Sequence, residues 1–184
     1  LWHLPRKTHV RKNNEFQRIC IFDVSPMGPE ALLNRGMLGN YYSTETMRSY
    51  LDDILAAVDE VKVQLGCEIE ILLKHKRMPT PQNDDCYFSY VNALCKSNNN
   101  LGLVEENKDL FELIAESDLV VVIPYSSPAY VANYQGIPAI FYDPTNELQP
   151  GHEIIPSIIF SAGLENLKRE IKKIIARNID VCKR

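Results

Sequence analysis

Apolar positions along the chain follow two kinds of pattern that take turns. Between residues 43 and 66 they recur at spacings of three and four, which is the period of an amphipathic helix. Elsewhere they form short, nearly continuous apolar runs, and runs of this length predict strands. These runs occupy 18–22, 68–73, 101–104, 119–123 and 138–142. Strands that alternate with helices predict a Rossmann-like three-layer α/β/α sandwich with a mostly parallel sheet of five or six strands.

End signals place helices between these strands. Ser43 is suited to cap the longest helix, and Gly66 is placed to end it. Asn107 is expected to cap a helix that continues to Glu116. Further helices are predicted over 87–95 and 164–178.

Two segments have less regular patterns. Residues 23–42 make a connection longer than the few residues usual between a strand and a helix, which favours a functional loop. Residues 154–160 are either a sixth short strand or an irregular buried segment. The sheet therefore has five or six strands.

The segment 117–145 is the unit around which the rest is organised. Its run 119–123 contains three adjacent valines and reads as a strand buried on both faces. Ser126, Ser127 and Pro128 follow at once and predict the start of a short helix, because a serine hydroxyl can accept from the N–H groups of the first turn. Gly136 is placed to end that helix in a left-handed conformation. Strand, serine turn, helix and strand together make a βαβ crossover.

Length and composition fit one domain. The chain has 184 residues, of which 45% are hydrophobic and 24% charged. We expect a linker arm over 1–17, one domain over 18–178 and a tail over 179–184. The net charge of −4 argues against a nucleic-acid partner. The arm carries basic residues. It is either a solvated linker or a segment that contacts a membrane surface or an acidic partner.

Cysteine usage and hydropathy indicate the compartment. The five cysteines show no CxxC or Cys/His ligand spacing, which argues against a disulfide framework and against a zinc site. No apolar run approaches the roughly 20 residues of a spanning helix, and the start of the chain lacks a signal-peptide layout. We expect a cytoplasmic protein without a metal. Because the chain begins with Leu1, we also expect that it is a processed product or a fragment.

Polar residues follow four of the predicted strands, at the ends that a parallel sheet brings to one edge. Serine hydroxyls at a helix start beside cationic side chains suit a phosphate, so a nucleotide is the leading ligand class. Each group can also be explained by structure alone: the serines as a helix cap, the basic cluster as a solvated strand end and Asp143 as part of a turn. The candidate residues are Asp23, Ser25, Lys74, His75, Arg77, Ser126, Ser127, Asp143 and Glu147.

Missing motifs narrow the class of enzyme. The loop after the first strand lacks GxGxxG, which disfavours a dinucleotide oxidoreductase. A GxxxxGKS or GxxxxGKT motif is absent, as is a GxSxG nucleophile elbow. Ser126 and Ser127 are accordingly better phosphate ligands than nucleophiles.

The run Pro124-Tyr125-Ser126-Ser127-Pro128, with the segment 136–144 after it, resembles the carboxyl-terminal donor domain of GT-B-type glycosyltransferases of bacterial surface polysaccharide synthesis. It is most similar to the group named for a Pro-Phe-Thr-Ser motif. Kdo-, sialyl- and teichoic-acid-type transferases with paired serines are more distantly similar. Related families have His-Pro after the second strand, whereas this chain has His75-Lys76.

The resemblance implies that Ser126 and Ser127 hold the phosphate of a nucleotide-sugar donor, with Lys74, His75 and Arg77 across the cleft. It implies no metal cofactor, an amino-terminal acceptor domain outside this chain, and work in the cytoplasm or at the inner face of its membrane. It leaves the catalytic base unassigned. A non-catalytic nucleotide- or partner-binding module and a polyol-phosphate transferase of the teichoic-acid type remain alternatives.

Overall fold

The strands of the computed structural model lie in one parallel sheet. The structure describes residues 17–34, 43–75, 83–151, 155 and 157–182. In these ranges the strands are β1 (Gln17–Phe22), β2 (Ile69–Lys74), β3 (Leu101–Leu103), β4 (Leu119–Val122), β5 (Ala139–Asp143) and β6 (Ile158–Ala162). Their order is β3-β2-β1-β4-β5-β6, and every neighbouring pair is parallel. This arrangement confirms the predicted Rossmann-like fold, with six strands.

Helices cover both faces of the sheet. They are α1 (Pro29–Asn34), α2 (Thr44–Leu65), α3 (Asp85–Ser97), α4 (Leu110–Ala115), α5 (Ser127–Gln135) and α6 (Leu164–Cys182). Alternate residues of β1 show the division, because Ile19 and Ile21 pack with α2, α3 and α6, whereas Cys20 and Phe22 pack with α4 and α5. A strand buried on both faces needs apolar residues at consecutive positions, which is why β4 is a run of Leu and Val.

Local end signals fix the longest helix as predicted. The Ser43 hydroxyl accepts from the Thr46 N–H at 3.1 Å, and Gly66 takes the left-handed conformation with φ 59°. Gly136 ends α5 in the same way with φ 77°. Glycine pays no steric cost for a positive φ, so both helices stop where the chain must turn back to the sheet.

The structure corrects three details. The cap of α4 is Asp109 and not Asn107, since the Asp109 carboxylate accepts from the N–H groups of Phe111 and Glu112. The segment 23–42 contains the short helix α1, and its residues 35–42 lie outside the described ranges. The last helix, α6, continues past residue 178 to Cys182, into the predicted tail.

Asp109→Ala tests this capping assignment. Loss of a carboxylate that accepts two backbone N–H groups is expected to lower the free energy of unfolding by about 1 kcal/mol. Asn107→Ala is the matched control and is expected to change it by less than about 0.5 kcal/mol. Urea unfolding of the two variants measures both values. Equal losses would contradict the assignment.

Candidate functional site

Several of the candidate residues follow strands that end at the carboxyl edge of the sheet. Phe22, Lys74 and Val122 are aligned in register across β2, β1 and β4. Asp23 and His75 follow this row directly, and the serine turn at 124–128 begins two residues after it. Parallel strands bring these segments to a single edge, which is also where β5 ends at Asp143. In open α/β sheets this edge holds the ligand crevice.

The ends of β1 and β2 are joined by a buried carboxylate. The Asp23 side chain is fully buried, and its Oδ2 lies 2.5 Å from Nδ1 of His75. The Tyr87 hydroxyl, which comes from α3, donates to the same Oδ2 at 2.9 Å. The His75 side chain is held by its hydrogen bond to Asp23 and keeps 18% of its surface exposed.

Two aromatic rings of α3 pack on the His75 ring by their edges. The centroid of Phe88 is 5.2 Å from that of His75, and the centroid of Tyr87 is 6.3 Å away. Burial raises the pKa of Tyr87 well above its usual value, and the nearby Asp23 charge raises it further. Tyr87 is therefore a neutral donor toward Asp23 at any physiological pH.

The serine turn has unusual backbone geometry. Tyr125 has φ 63°, a conformation that costs energy for a residue with a side chain and that is concentrated at functional sites. Ser126 is the N-cap residue of α5, yet its hydroxyl makes no capping hydrogen bond, contrary to the role predicted for it. Ser127 is the first helical residue and is exposed. Ser126 is mostly buried, with 9% of its surface exposed, so Ser127 presents the more accessible hydroxyl at the helix N-terminus, where N–H groups favour an anion.

The loop after β5 forms the neighbouring wall. The Asp143 carboxylate is fully buried and accepts from the Thr145 N–H at 2.9 Å, the Thr145 hydroxyl at 2.7 Å and the Leu148 N–H at 2.8 Å. Asp143 thus shapes the loop, and Glu147 is exposed on it. The Tyr125 hydroxyl accepts from the Gly151 N–H at 3.1 Å, which connects this loop to the serine turn.

The remaining candidate residues either make other contacts or lie outside the described ranges. The Lys74 ammonium group donates to the carbonyls of Glu105 and Glu106, on the side of β3. Ser25 is half-buried, and its carbonyl accepts from the Asn83 amide at 3.3 Å. Arg77 lies outside the described residues. The structure thus brings Asp23 and His75 into contact.

A cavity of about 470 Å³ opens at the opposite edge, beside the start of β2. It is lined by Lys62, Glu68, Ile69, Glu70 and residues 97–100. Its charges pair with protein groups, since Lys62 lies 3.0 Å from Glu68 and Glu70 lies 2.7 Å from Arg18. This cavity offers less to an anion than the carboxyl edge does.

Sequence reasoning missed Tyr87 and Phe88 as parts of the site. Their contact with His75 depends on how α3 crosses the end of β2. Neither periodicity nor motif spacing in the sequence predicts that packing. Within the ranges described above, three or more His, Cys, Asp or Glu side chains do not gather into a metal-binding group. In the same ranges, every helix is too short or too polar to cross a membrane.

Comparisons with known proteins agree with this architecture. Residues 1–171 match the family described as polysaccharide biosynthesis PFTS motif protein. No curated protein sequence matches the chain significantly.

Solved structures share the fold at low sequence identity. A putative UDP-N-acetylglucosamine 2-epimerase from Listeria monocytogenes is similar with a TM-score of 0.54 and 15% identity, over 90% of this chain and 38% of that one. The UDP-GlcNAc 2-epimerase of Methanocaldococcus jannaschii, solved with UDP-GlcNAc and UDP, gives 0.51 and 12%, over 90% and 41%. The wall teichoic acid polymerase TagF gives 0.50 and 17%, over 92% and 34%.

These similarities confirm the fold, and the family match confirms the resemblance to the group named for a Pro-Phe-Thr-Ser motif. The chain spans between 34% and 41% of the length of these three neighbours. It therefore corresponds to one part of such proteins.

Proposed function

The chain belongs to the polysaccharide biosynthesis PFTS motif family, and from this membership we propose that it is the donor-binding half of a glycosyltransferase. The enzyme transfers a sugar from a nucleotide-sugar during the synthesis of a bacterial surface polysaccharide. The acceptor site lies on a second domain outside this chain, in keeping with the small share of its structural neighbours that the chain spans. The reaction takes place in the cytoplasm, either in solution or at the inner face of the membrane.

One observation carries the proposal. The serine turn presents two hydroxyls and the N-terminus of α5 at the same edge at which His75 exposes its ring. Hydroxyl and N–H donors stabilise the negative charge that develops on a nucleotide phosphate as the sugar leaves. Such a site needs no bound metal, because fixed donors supply the electrostatic stabilisation.

A polyol-phosphate transferase is the second candidate. It is favoured by the similarity to TagF, a wall teichoic acid polymerase. Its donor carries the same diphosphate, so the serine turn suits both reactions. The two candidates are therefore distinguished by the nucleotide base that the chain prefers.

Isothermal titration calorimetry of the 184-residue chain tests the proposal. The ligands are UDP, CDP and CMP. We expect saturable binding of a diphosphate, with a preference for one base and weaker binding of the monophosphate, because fewer phosphate oxygens meet the serine turn. A preference for CDP would support the polyol-phosphate alternative. If none of the three binds, the donor-site proposal is wrong, and a module that binds a partner protein replaces it.

A further inference from the structure

Asp23 lies at the carboxyl edge of the sheet, where a ligand is expected, but its side chain has no exposed surface. A side chain with 0% exposure acts on a ligand through its neighbours, and His75 and Tyr87 are two partners of Asp23. We propose that Asp23 and Tyr87 are positioning residues, which fix the His75 ring so that Nε2 faces the donor phosphate. This inference rests on the proposed function for the identity of the ligand and on the structure alone for the geometry.

The carboxylate decides which ring nitrogen carries a permanent hydrogen. An ionised carboxylate only accepts hydrogen bonds, so Nδ1 at 2.5 Å from Asp23 Oδ2 holds its proton in the neutral and in the charged ring. Nε2 is then the ring nitrogen that Asp23 leaves to a ligand. Among the described residues, Nε2 has no hydrogen-bond partner, and 18% of the His75 side chain is exposed.

Tyr87 sets the direction of the carboxylate. Its hydroxyl donates to the same oxygen that receives Nδ1, and it enters from α3, whereas Asp23 follows β1 and His75 follows β2. A carboxylate that accepts from two elements is held in one rotamer more firmly than by a single partner. The Phe88 ring, whose centroid is 5.2 Å from that of His75, packs against the His75 ring and restricts its rotation.

The distance to the serine turn suits a diphosphate. One strand, β1, separates β2 from β4, so the ends of β2 and β4 stand about 10 Å apart. A diphosphate with a hydrogen bond at each end bridges such a span. As the sugar carbon passes from the phosphate oxygen to the acceptor oxygen, the electron pair of the broken bond stays on the phosphate oxygen, and an Nε2–H of His75 donates to the resulting anion.

The first test reads the ring directly and needs no ligand. In the chain labelled with ¹⁵N at histidine, we expect the neutral His75 ring to carry its hydrogen on Nδ1, with the signal assigned by its loss in His75→Gln. Asp23→Asn is expected to move the hydrogen to Nε2, the tautomer that an unconstrained histidine side chain favours in water. Tyr87→Phe is expected to give a mixture of the two. A wild-type ring protonated on Nε2, or a tautomer that Asp23→Asn leaves unchanged, overturns the proposal.

The second test measures binding of inorganic pyrophosphate by calorimetry. His75→Gln and Asp23→Asn are each expected to weaken binding by about 10-fold to 100-fold, the usual loss for a hydrogen bond to a charged group. In the double variant we expect little loss beyond that of His75→Gln, because Asp23 acts through His75. Independent losses that multiply would mean that Asp23 has a purely structural role, which would overturn the proposal.

A matched tyrosine separates local from general effects. Tyr90 lies on the same helix as Tyr87 and donates to Asp52 on α2, away from His75. Tyr90→Phe is expected to keep both the His75 tautomer and the affinity for pyrophosphate. Circular dichroism and thermal unfolding confirm that each variant is folded. If the wild-type chain shows the expected tautomer but does not bind pyrophosphate, the proposed function fails and the assigned geometry stands.

Discussion

Replacing Ser127 by alanine is expected to slow sugar transfer by the intact enzyme about 100-fold or more, with little change in stability. The hydroxyl lies at the first residue of α5, is exposed, and stands beside the helix N–H groups that favour an anion. It contributes most when charge develops on the departing phosphate, so the loss falls mainly on kcat. Initial rates at saturating donor, measured with the donor that the titration selects, check this expectation.

Ser97 offers a matched control for this substitution. It is exposed at the end of α3, near the opposite edge of the sheet, and its hydroxyl donates to the Leu94 carbonyl at 3.1 Å. Ser97→Ala is expected to change the rate by less than twofold, since its hydroxyl is far from the serine turn. If Ser127→Ala keeps both the wild-type unfolding midpoint and the wild-type rate, the serine turn does not hold the donor.

Ile171→Ala is expected to give the largest loss of stability, between about 2 and 5 kcal/mol. Ile171 is fully buried on α6, in the core cluster that α6 shares with α2 and the sheet. Truncation to alanine removes three carbons and leaves a cavity that the surrounding helices fill only in part. Urea unfolding monitored by circular dichroism measures the change.

The adjacent Lys172 is exposed on the other side of the same helix. Lys172→Ala keeps the helix propensity high and removes no buried contact, so we expect a change within about 0.5 kcal/mol. Similar losses for both substitutions would mean that α6 does not pack on the sheet through Ile171.

Signals carried by a few adjacent residues predicted the fold well. Ser43 and Gly66 set both ends of α2 because a side-chain cap and a left-handed glycine act on the backbone next to them. The apolar run at 119–123 predicted a strand buried on both faces, and β4 occupies the centre of the sheet. Alternation of strands and helices then left the parallel sandwich as the simplest packing.

Choices between near neighbours were less predictable. Asn107 and Asp109 are both good N-cap residues, and the structure uses Asp109, whose side chain reaches two N–H groups. Propensity does not separate two capping residues that lie two positions apart; the packing of Leu113 and Ile114 into the core decides the register of α4.

The side-chain contacts within the site could not be predicted from the sequence. Asp23 and His75 are 52 positions apart, and Asp23 and Tyr87 are 64 apart. Their meeting depends on the order of the strands and on the path of α3, which follow from the packing of the whole domain. The sequence placed Asp23 and His75 at one edge, whereas their direct hydrogen bond required coordinates.

The hydrogen bond between the Tyr125 hydroxyl and the Gly151 N–H has a consequence for donor selectivity. It ties the turn that presents the two serines to the loop that Asp143 shapes, so the two walls move together. Under the proposed function, a substitution in the loop after β5 is then transmitted to the turn that contacts the phosphates. A change of nucleotide preference would accordingly require substitutions in both segments.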